Sequence, residues 1–289
     1  MRDGVMLKKL ISGWVCVIAF LSVAGAEAVF NYPDAVGKAP GSNLRGITFN
    51  ILVANAPEGP WPMKDRVARM IEFINKIQPD FAGFQEVDKI WFASLADSIA
   101  PWKFARDPYD ENMCAVIYDS RKYRQIDGGV YALCGEAEKK IRCLRWTLLE
   151  NIKNGKKFIV TNTHWYVDTP RRTQNAGAMT EYIKKLTARF PGIPFFCTGD
   201  FNCQLEYKEF SNMVKSIGFK DSVASAAVTE NREFGSSYNT ANKTLITGKS
   251  HVDHIIVSRS VKVLSAKLFV GGNLFGISDH LPVVADFEI

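Results

Sequence analysis

Apolar positions change period along the chain, and the changes mark its elements. LRGITFNILV, from Leu44 to Val53, alternates weakly, is β-branched and predicts a strand. Trp61 to Gln78 carries Val67, Met70, Ile71, Ile74 and Ile77 at helical spacing, and Pro79 ends the helix. DFAGFQEV predicts a short buried strand, and Asp88 to Ala100 a second helix. Strands follow at MCAVIYD, LRWTLLENI and KFIVTNTHW, the last two joined by the hairpin signal Lys153-Asn154-Gly155-Lys156. Residues 170–189 and 204–217 predict helices on either side of the strand PFFCTGDFN. The C-terminal part reads as strands HVDHIIVS, VKVLSAKLFV and HLPVVADFEI. Strands alternate with helices early and come in hairpins elsewhere, which implies one α/β domain with mixed sheets. That domain is expected over 44–289, after a Pro/Gly/Asn-rich lead-in at 27–43.

The first residues follow a different pattern. Lys8 and Lys9 precede the apolar run Leu10 to Val23, and small residues at Ala24, Gly25, Ala26 and Ala28 follow. This is the pattern of a secretory signal peptide, with cleavage expected after Ala26 or Ala28. The run is shorter than the ~20 residues that span a bilayer comfortably, so no stable membrane anchor is expected after cleavage. Export to a periplasmic or extracellular compartment follows, and the mature chain is expected to be a soluble monomer.

 

Composition narrows the class. The chain has 289 residues, 47% hydrophobic and 23% charged, which excludes a disordered tail, a collagen or a disulfide knot. Its formal charge is +6, and removing Arg2, Lys8, Lys9 and Asp3 with the leader leaves +4. This mild excess permits a polyanionic partner without demanding one. Loss of Cys16 leaves Cys114, Cys134, Cys143, Cys197 and Cys203, an odd number. Cys134 and Cys143 bracket the polar stretch GEAEKKIR and are the disulfide candidate in an oxidising compartment, with two free thiols as the alternative. No C-x-x-C pair exists, so a structural zinc site is not expected.

Chemistry enters where strands end in polar residues. These are Asn50 in TFN, Glu86 in QEV, His164 in NTH, Asp200 and Asn202 in GDFN, and Asp279-His280 in SDH, with Asp253 inside the apolar HVDHIIVS. Strand ends are where α/β proteins place their sites, because the loops there are free of packing duty. Carboxylate and amide oxygens suit Mg²⁺, Mn²⁺ or Ca²⁺.

The ordered set TFN, QEV, NTH, GDFN, VDHI and SDHLPV resembles the endonuclease/exonuclease/phosphatase superfamily, over about Leu44 to Ile289. That group includes DNase I-like nucleases, abasic-site endonucleases, sphingomyelinases and inositol phosphatases. The resemblance implies a four-layer αββα sandwich, two mixed central β-sheets flanked by helices. It implies metal binding at Glu86 with Asn50 beside it and Asp279 as a second metal-side acid. It assigns Asp200 and Asn202 to the attacking water and scissile phosphate, His280 to the phosphate, and Asp253 to fixing His280. His164 matches a further active-site histidine, and Tyr109-Asp110-Glu111 makes Glu111 its candidate acidic partner. His251 and His254 match no role and read as structural or rim residues.

The implied activity is divalent-metal-dependent hydrolysis of phosphate esters, in which charge on the phosphoryl oxygens must be neutralised. A nuclease is the first expectation. A sphingomyelinase-like phospholipid phosphodiesterase or a phosphomonoesterase stands beside it, and a non-catalytic binding module behind. Arg145 resembles the phosphate-contacting arginine of DNase I-like nucleases, and Arg171 and Tyr109 are further substrate-side candidates. Trp61, Trp165, Tyr166 and Tyr238 could stack on a base or sugar. No long DNA-gripping insertion separates Asn202 from His251.

Overall fold

The structure, a computed structural model, describes residues 36–56, 62–106, 113–134, 142–239, 244–247, 251–270 and 274–289. The expected signal peptide, most of the lead-in, Tyr109 and Glu111 lie outside these residues. In chain order the elements are β1 (Leu44–Asn50), α1 (Met63–Ile77), β2 (Phe81–Gln85), α2 (Lys89–Leu95), β3 (Trp102–Phe104), β4 (Ala115–Asp119) and β5 (Tyr123–Ala132). They continue with β6 (Cys143–Asn151), β7 (Lys157–His164), α3 (Thr169–Arg189), β8 (Phe195–Asp200), α4 (Lys208–Ser216), β9 (Phe219–Asp221) and α5 (Ser222–Ser225). The last are β10 (Val228–Glu230), β11 (Phe234–Asn239), β12 (Thr244–Thr247), β13 (Asp253–Ser258), β14 (Lys262–Leu268) and β15 (Val283–Glu288). Among the described residues no helix is long and apolar enough to cross a membrane.

Two helices are shorter than their periodicity implies. The helix expected from Asp88 stops at Leu95, and α4 starts at Lys208 in place of residue 204. Asp88 caps α2 by accepting from the Trp91 N–H, as a short acidic side chain at a helix start can. In α1 the buried stripe is Arg66, Met70, Phe73, Ile74 and Ile77, so a charged residue occupies the first inward position.

Among the described residues the strands form a seven-stranded sheet, β10-β14-β15-β1-β2-β4-β3, a six-stranded sheet, β5-β6-β7-β8-β13-β9, and a β11–β12 hairpin. Both large sheets are mixed: β1 runs parallel to β2 and β7 to β8, whereas β15, β4, β6 and β13 run antiparallel to these pairs. The sheets face each other. Phe81 of β2 meets Phe158 of β7 and Phe196 of β8 at ring-centroid distances of 5.8 and 5.0 Å. They approach tightly at Gly83, where a Cβ would stand 1.9 Å from Thr198 Oγ1, so a side chain there would push the sheets apart. Met70, Phe73, Trp91 and Leu95 cover the outside of the first sheet, and Met179, Ile183, Phe210 and Met213 the outside of the second. The result is the helix–sheet–sheet–helix sandwich implied by the motifs.

The cysteines differ from the expected bridge: Cys134 and Cys143 are free thiols. The register explains it, because Cys143 pairs with Ala132 and so lies diagonal to Cys134 across the β5–β6 ladder. Cys134 Sγ instead accepts from the Arg142 N–H at 3.2 Å. Cys197 and Cys203 are buried, and desolvation pushes both thiols up to about 12.

His254 is a structural residue. Its Nδ1–H donates to Asp221 Oδ2 at 2.9 Å and its Nε2–H to the Cys203 carbonyl at 3.0 Å. Two acceptors require the doubly protonated ring. Burial opposes that charge, but the hydrogen bond to Asp221 and its charge outweigh burial and raise the imidazole, while His254 in turn lowers Asp221. The raised histidine contributes stability that is lost as pH rises through its folded pKa; the lowered acid contributes stability lost as pH falls through its own. The Tm difference between wild type and Asp221→Asn, which keeps the α5 cap, is therefore expected to peak between pH ~4 and ~6.5. Thermal denaturation from acid to alkaline pH measures it, and a difference constant with pH would refute the pairing.

Candidate active site

One edge of the sandwich collects the strand-end polar residues because the ladders put them in register. Asn50 ends β1 opposite Gln85 at the end of β2, while His164 and Asp253 both pair with Asp200. Asn50 bridges the sheets: its amide nitrogen donates to Glu86 Oε1 at 3.2 Å and to Asp200 Oδ2 at 3.1 Å. Glu86 follows β2 with a left-handed φ of 63°, and its second oxygen accepts from the Val53 N–H at 3.0 Å. A non-glycine residue in that conformation stores strain, which surrounding contacts must hold.

Asp200 is the hub. Its Oδ1 accepts from the Asn202 N–H at 2.9 Å, which fixes the left-handed turn at Asn202. Its Oδ2 lies 3.3 Å from His164 Nε2 and 3.9 Å from His280 Nε2. His280 Nδ1–H donates to Asp253 Oδ2 at 2.7 Å. Burial alone would depress His280, but the charges of Asp253, Asp200 and Asp279 and the hydrogen bond to Asp253 push it up to about 10. The ring is therefore an imidazolium at neutral pH, with one N–H held and the other directed toward Asp200.

The donor set fits a hard divalent cation. Asn50, Glu86, Asp200, Asp253 and Asp279 all offer oxygen. Asp200 and Asp253 cluster with His280, their side-chain atoms within 4.8 Å of one another, and the two carboxylates, not the charged ring, are the groups there that can meet a cation. Asp253 Oδ1 is buried without a hydrogen-bond partner, so an acceptor remains there for a cation or a donor. Asp279 is half-buried, with Oδ1 3.3 Å from the Ser278 hydroxyl.

Both substrate-side arginines are engaged by protein groups. Arg145 is buried, with Nε–H donating to the Cys114 carbonyl at 2.7 Å. Arg171 pairs with Asp168 at 2.7 Å and lies over the Tyr166 ring at 4.6 Å, with Arg142 near the same ring at 5.1 Å. Trp165 is wholly buried against Phe201 and Phe210, a core residue and not a stacking platform.

Sequence reading missed several supports. Ser278 Oγ–H donates to the Asn50 carbonyl at 2.6 Å, and the same oxygen lies 3.1 Å from the His280 N–H. Ser236 Oγ accepts from the Asp253 N–H, and Arg172 donates to the Asn202 carbonyl. Only Ser278 carried a signal, its place in SDH; the others are distant in sequence from what they hold.

A family model described as Endonuclease/Exonuclease/phosphatase family matches residues 47–280. The fold is similar to that of a mannosyl-6-phosphatase from Bacteroides thetaiotaomicron, with TM-score 0.75 and 19% identity over 86% of this chain and 100% of that one. It is also similar to D. rerio TDP2 solved with a single-strand DNA product, with TM-score 0.68 and 14% identity over 85% of this chain and 99% of that one. Protein angel of Drosophila melanogaster is 25% identical over 117 residues, 38% of this chain; the match spans 33% of that protein's length.

Proposed function

The chain belongs to the endonuclease/exonuclease/phosphatase family of phosphoric ester hydrolases, and from that premise we propose that it hydrolyses small phosphate esters after export. The observation that carries the small-substrate reading is the engagement, among the described residues, of three arginines near the site. Arg145 is turned onto Cys114, Arg171 onto Asp168 and Tyr166, and Arg172 onto Glu209 and the Asn202 carbonyl. A polymer-gripping surface needs cations presented to several phosphates beyond the scissile one. The similar mannosyl-6-phosphatase, whose whole length is covered, supports the same direction. Export rests on the Lys8-Lys9 leader and its apolar run; N-terminal sequencing of exported protein would then read from Glu27 or Val29.

In this reading Asp200 orients the attacking water and takes its proton, with Asn202 holding the same turn. His280 donates to the phosphoryl oxygens as charge builds, and Asp253 keeps that ring charged and aimed. His164 shares Asp200 from the other side, with Glu111 assigned as its acidic partner. Glu86, Asn50 and Asp279 are assigned to a divalent cation, Mg²⁺ or Mn²⁺, which when bound supplies charge neutralisation at the phosphoryl oxygens. Tyr109 is assigned to the substituent of the phosphate, while Arg145 and Arg171 keep the protein partners that hold them.

A substrate panel with Mg²⁺ or Mn²⁺ tests this: sugar 6-phosphates, bis(p-nitrophenyl) phosphate, plasmid DNA, RNA, phosphatidylcholine and sphingomyelin. Turnover of a small ester is expected, with a rate nearly flat between ~50 and ~200 mM salt. A polymer rate that dominates and falls by orders of magnitude over ~50 to ~200 mM would overturn the proposal in favour of a nuclease. Dominant turnover of either lipid would overturn it in favour of a phospholipid phosphodiesterase.

A further inference from the structure

Arg66 stands at the first inward position of α1, where the helical period calls for an apolar side chain, and it is 1% exposed. A buried guanidinium must find acceptors for its five N–H groups. Here Nε donates to the Ile277 carbonyl at 2.7 Å, Nη1 to Val53 and Ala54 at 3.1 and 3.2 Å, and Nη2 to Ile51 and Leu52 at 2.7 and 2.5 Å. Four of these carbonyls are consecutive.

In a trans peptide the carbonyl and the next N–H point in opposite directions. Drawing the Ile51, Leu52 and Val53 carbonyls onto Arg66 therefore turns the Leu52, Val53 and Ala54 N–H groups away from it. Those three N–H groups donate to Asn50 Oδ1 at 3.0 Å, Glu86 Oε2 at 3.0 Å and Asp88 Oδ2 at 2.8 Å. The left-handed φ of 57° at Leu52 allows the turn, and the Trp91 indole N–H reinforces it by donating to the Leu52 carbonyl at 2.7 Å. The bond to Ile277 reaches the segment before Ser278, whose hydroxyl holds the Asn50 carbonyl.

We propose that Arg66 is a positioning residue for the metal side of the site: it orients the 51–54 backbone so that Asn50 and Glu86 are held ready for a divalent cation. The proposal rests on the assignment of Asn50 and Glu86 to that cation. Arg66→Lys keeps the charge but has three N–H groups for five carbonyls, so at least two are released. Arg45→Lys is the control. Arg45 is another buried arginine with carbonyl partners, at Val36, Gly37 and Ile77, together with Asp286, away from the site.

Mn²⁺ binding to the purified full chain, read from the electron paramagnetic resonance of free Mn²⁺, is compared with Tm for each variant. Arg66→Lys is expected to raise the Mn²⁺ dissociation constant at least tenfold, while Arg45→Lys lowers Tm and leaves Mn²⁺ binding unchanged. Unchanged Mn²⁺ binding in folded Arg66→Lys, or an equal loss in both variants, would overturn the role of Arg66. If Arg66→Lys does not fold, Trp91→Phe, which deletes the indole donor to Leu52 and trims the ring that Arg66 lies over, is expected to weaken Mn²⁺ binding in the same direction, and no change there overturns the proposal. Wild-type chain that binds no Mn²⁺ would instead remove the metal assignment beneath it.

Discussion

Asp200→Asn is expected to lower kcat by on the order of 10²–10³-fold, with the variant folded. The carboxylate serves four groups at once: the Asn202 N–H, the Asn50 amide, and the Nε2 atoms of His164 and His280. An amide keeps one oxygen for the Asn202 turn but turns an NH₂ group toward the Asn50 donor and the imidazolium. The site then loses its proposed base and the charge that faces His280. Sequence reasoning alone suggests that strand-end residues pack little. The structure shows otherwise, since Asp200 is 1% and Asp253 0% exposed. A Tm loss of several degrees is therefore expected alongside the rate loss, at ~1–3 kcal/mol for a disturbed buried hydrogen-bond set. Steady-state kinetics and thermal denaturation separate the two effects, and a near wild-type kcat would show that the hub is misassigned.

Removal of divalent metal by excess EDTA is expected to abolish activity, and Mg²⁺ or Mn²⁺ to restore it. Glu86→Gln is expected to raise the metal concentration for half-maximal activity at least tenfold. The reason lies in what Glu86 receives. One oxygen faces the Asn50 NH₂ group and the other the Val53 N–H, so both ends of the side chain meet donors. Glutamine offers one oxygen and one NH₂ group, so it must set a donor against a donor as well as lose the charge. The strained backbone at Glu86, φ 63°, loses one of its restraints at the same time. Metal titrations of both proteins measure the shift. Full activity in excess chelator would end the metal-dependent reading.

The edges of what could be read from sequence follow the range of the interactions. Hydrophobic period placed β1, α1, β2, the β6–β7 hairpin, α3, β8 and β13 near their observed positions, because burial of one face imposes its repeat on the local sequence. It missed β5 and the short strands β3 and β9 to β12; β5 lies at an edge of its sheet, and much of it is only partly buried. The bridge between Cys134 and Cys143 failed because proximity in sequence does not fix the register of a ladder, and Cys143 stands opposite Ala132.

The same division holds at the site. The residue types at the strand ends, Asn50, Glu86, His164, Asp200, Asn202, Asp253, Asp279 and His280, are visible in the chain as polar interruptions of apolar runs. Their spacing within each motif is local, so the sequence determines it. Which of them meet is decided by the packing of two sheets: Asn50 reaches Glu86 within its own sheet and Asp200 across to the other. Arg66 marks the limit most clearly. In sequence it is one basic residue in an amphipathic helix, indistinguishable from a solvated charge. Only the tertiary structure places it beneath the 51–54 turn and the Ile277 carbonyl, 211 residues away, because a buried guanidinium is stable only where the fold converges enough acceptors to replace water.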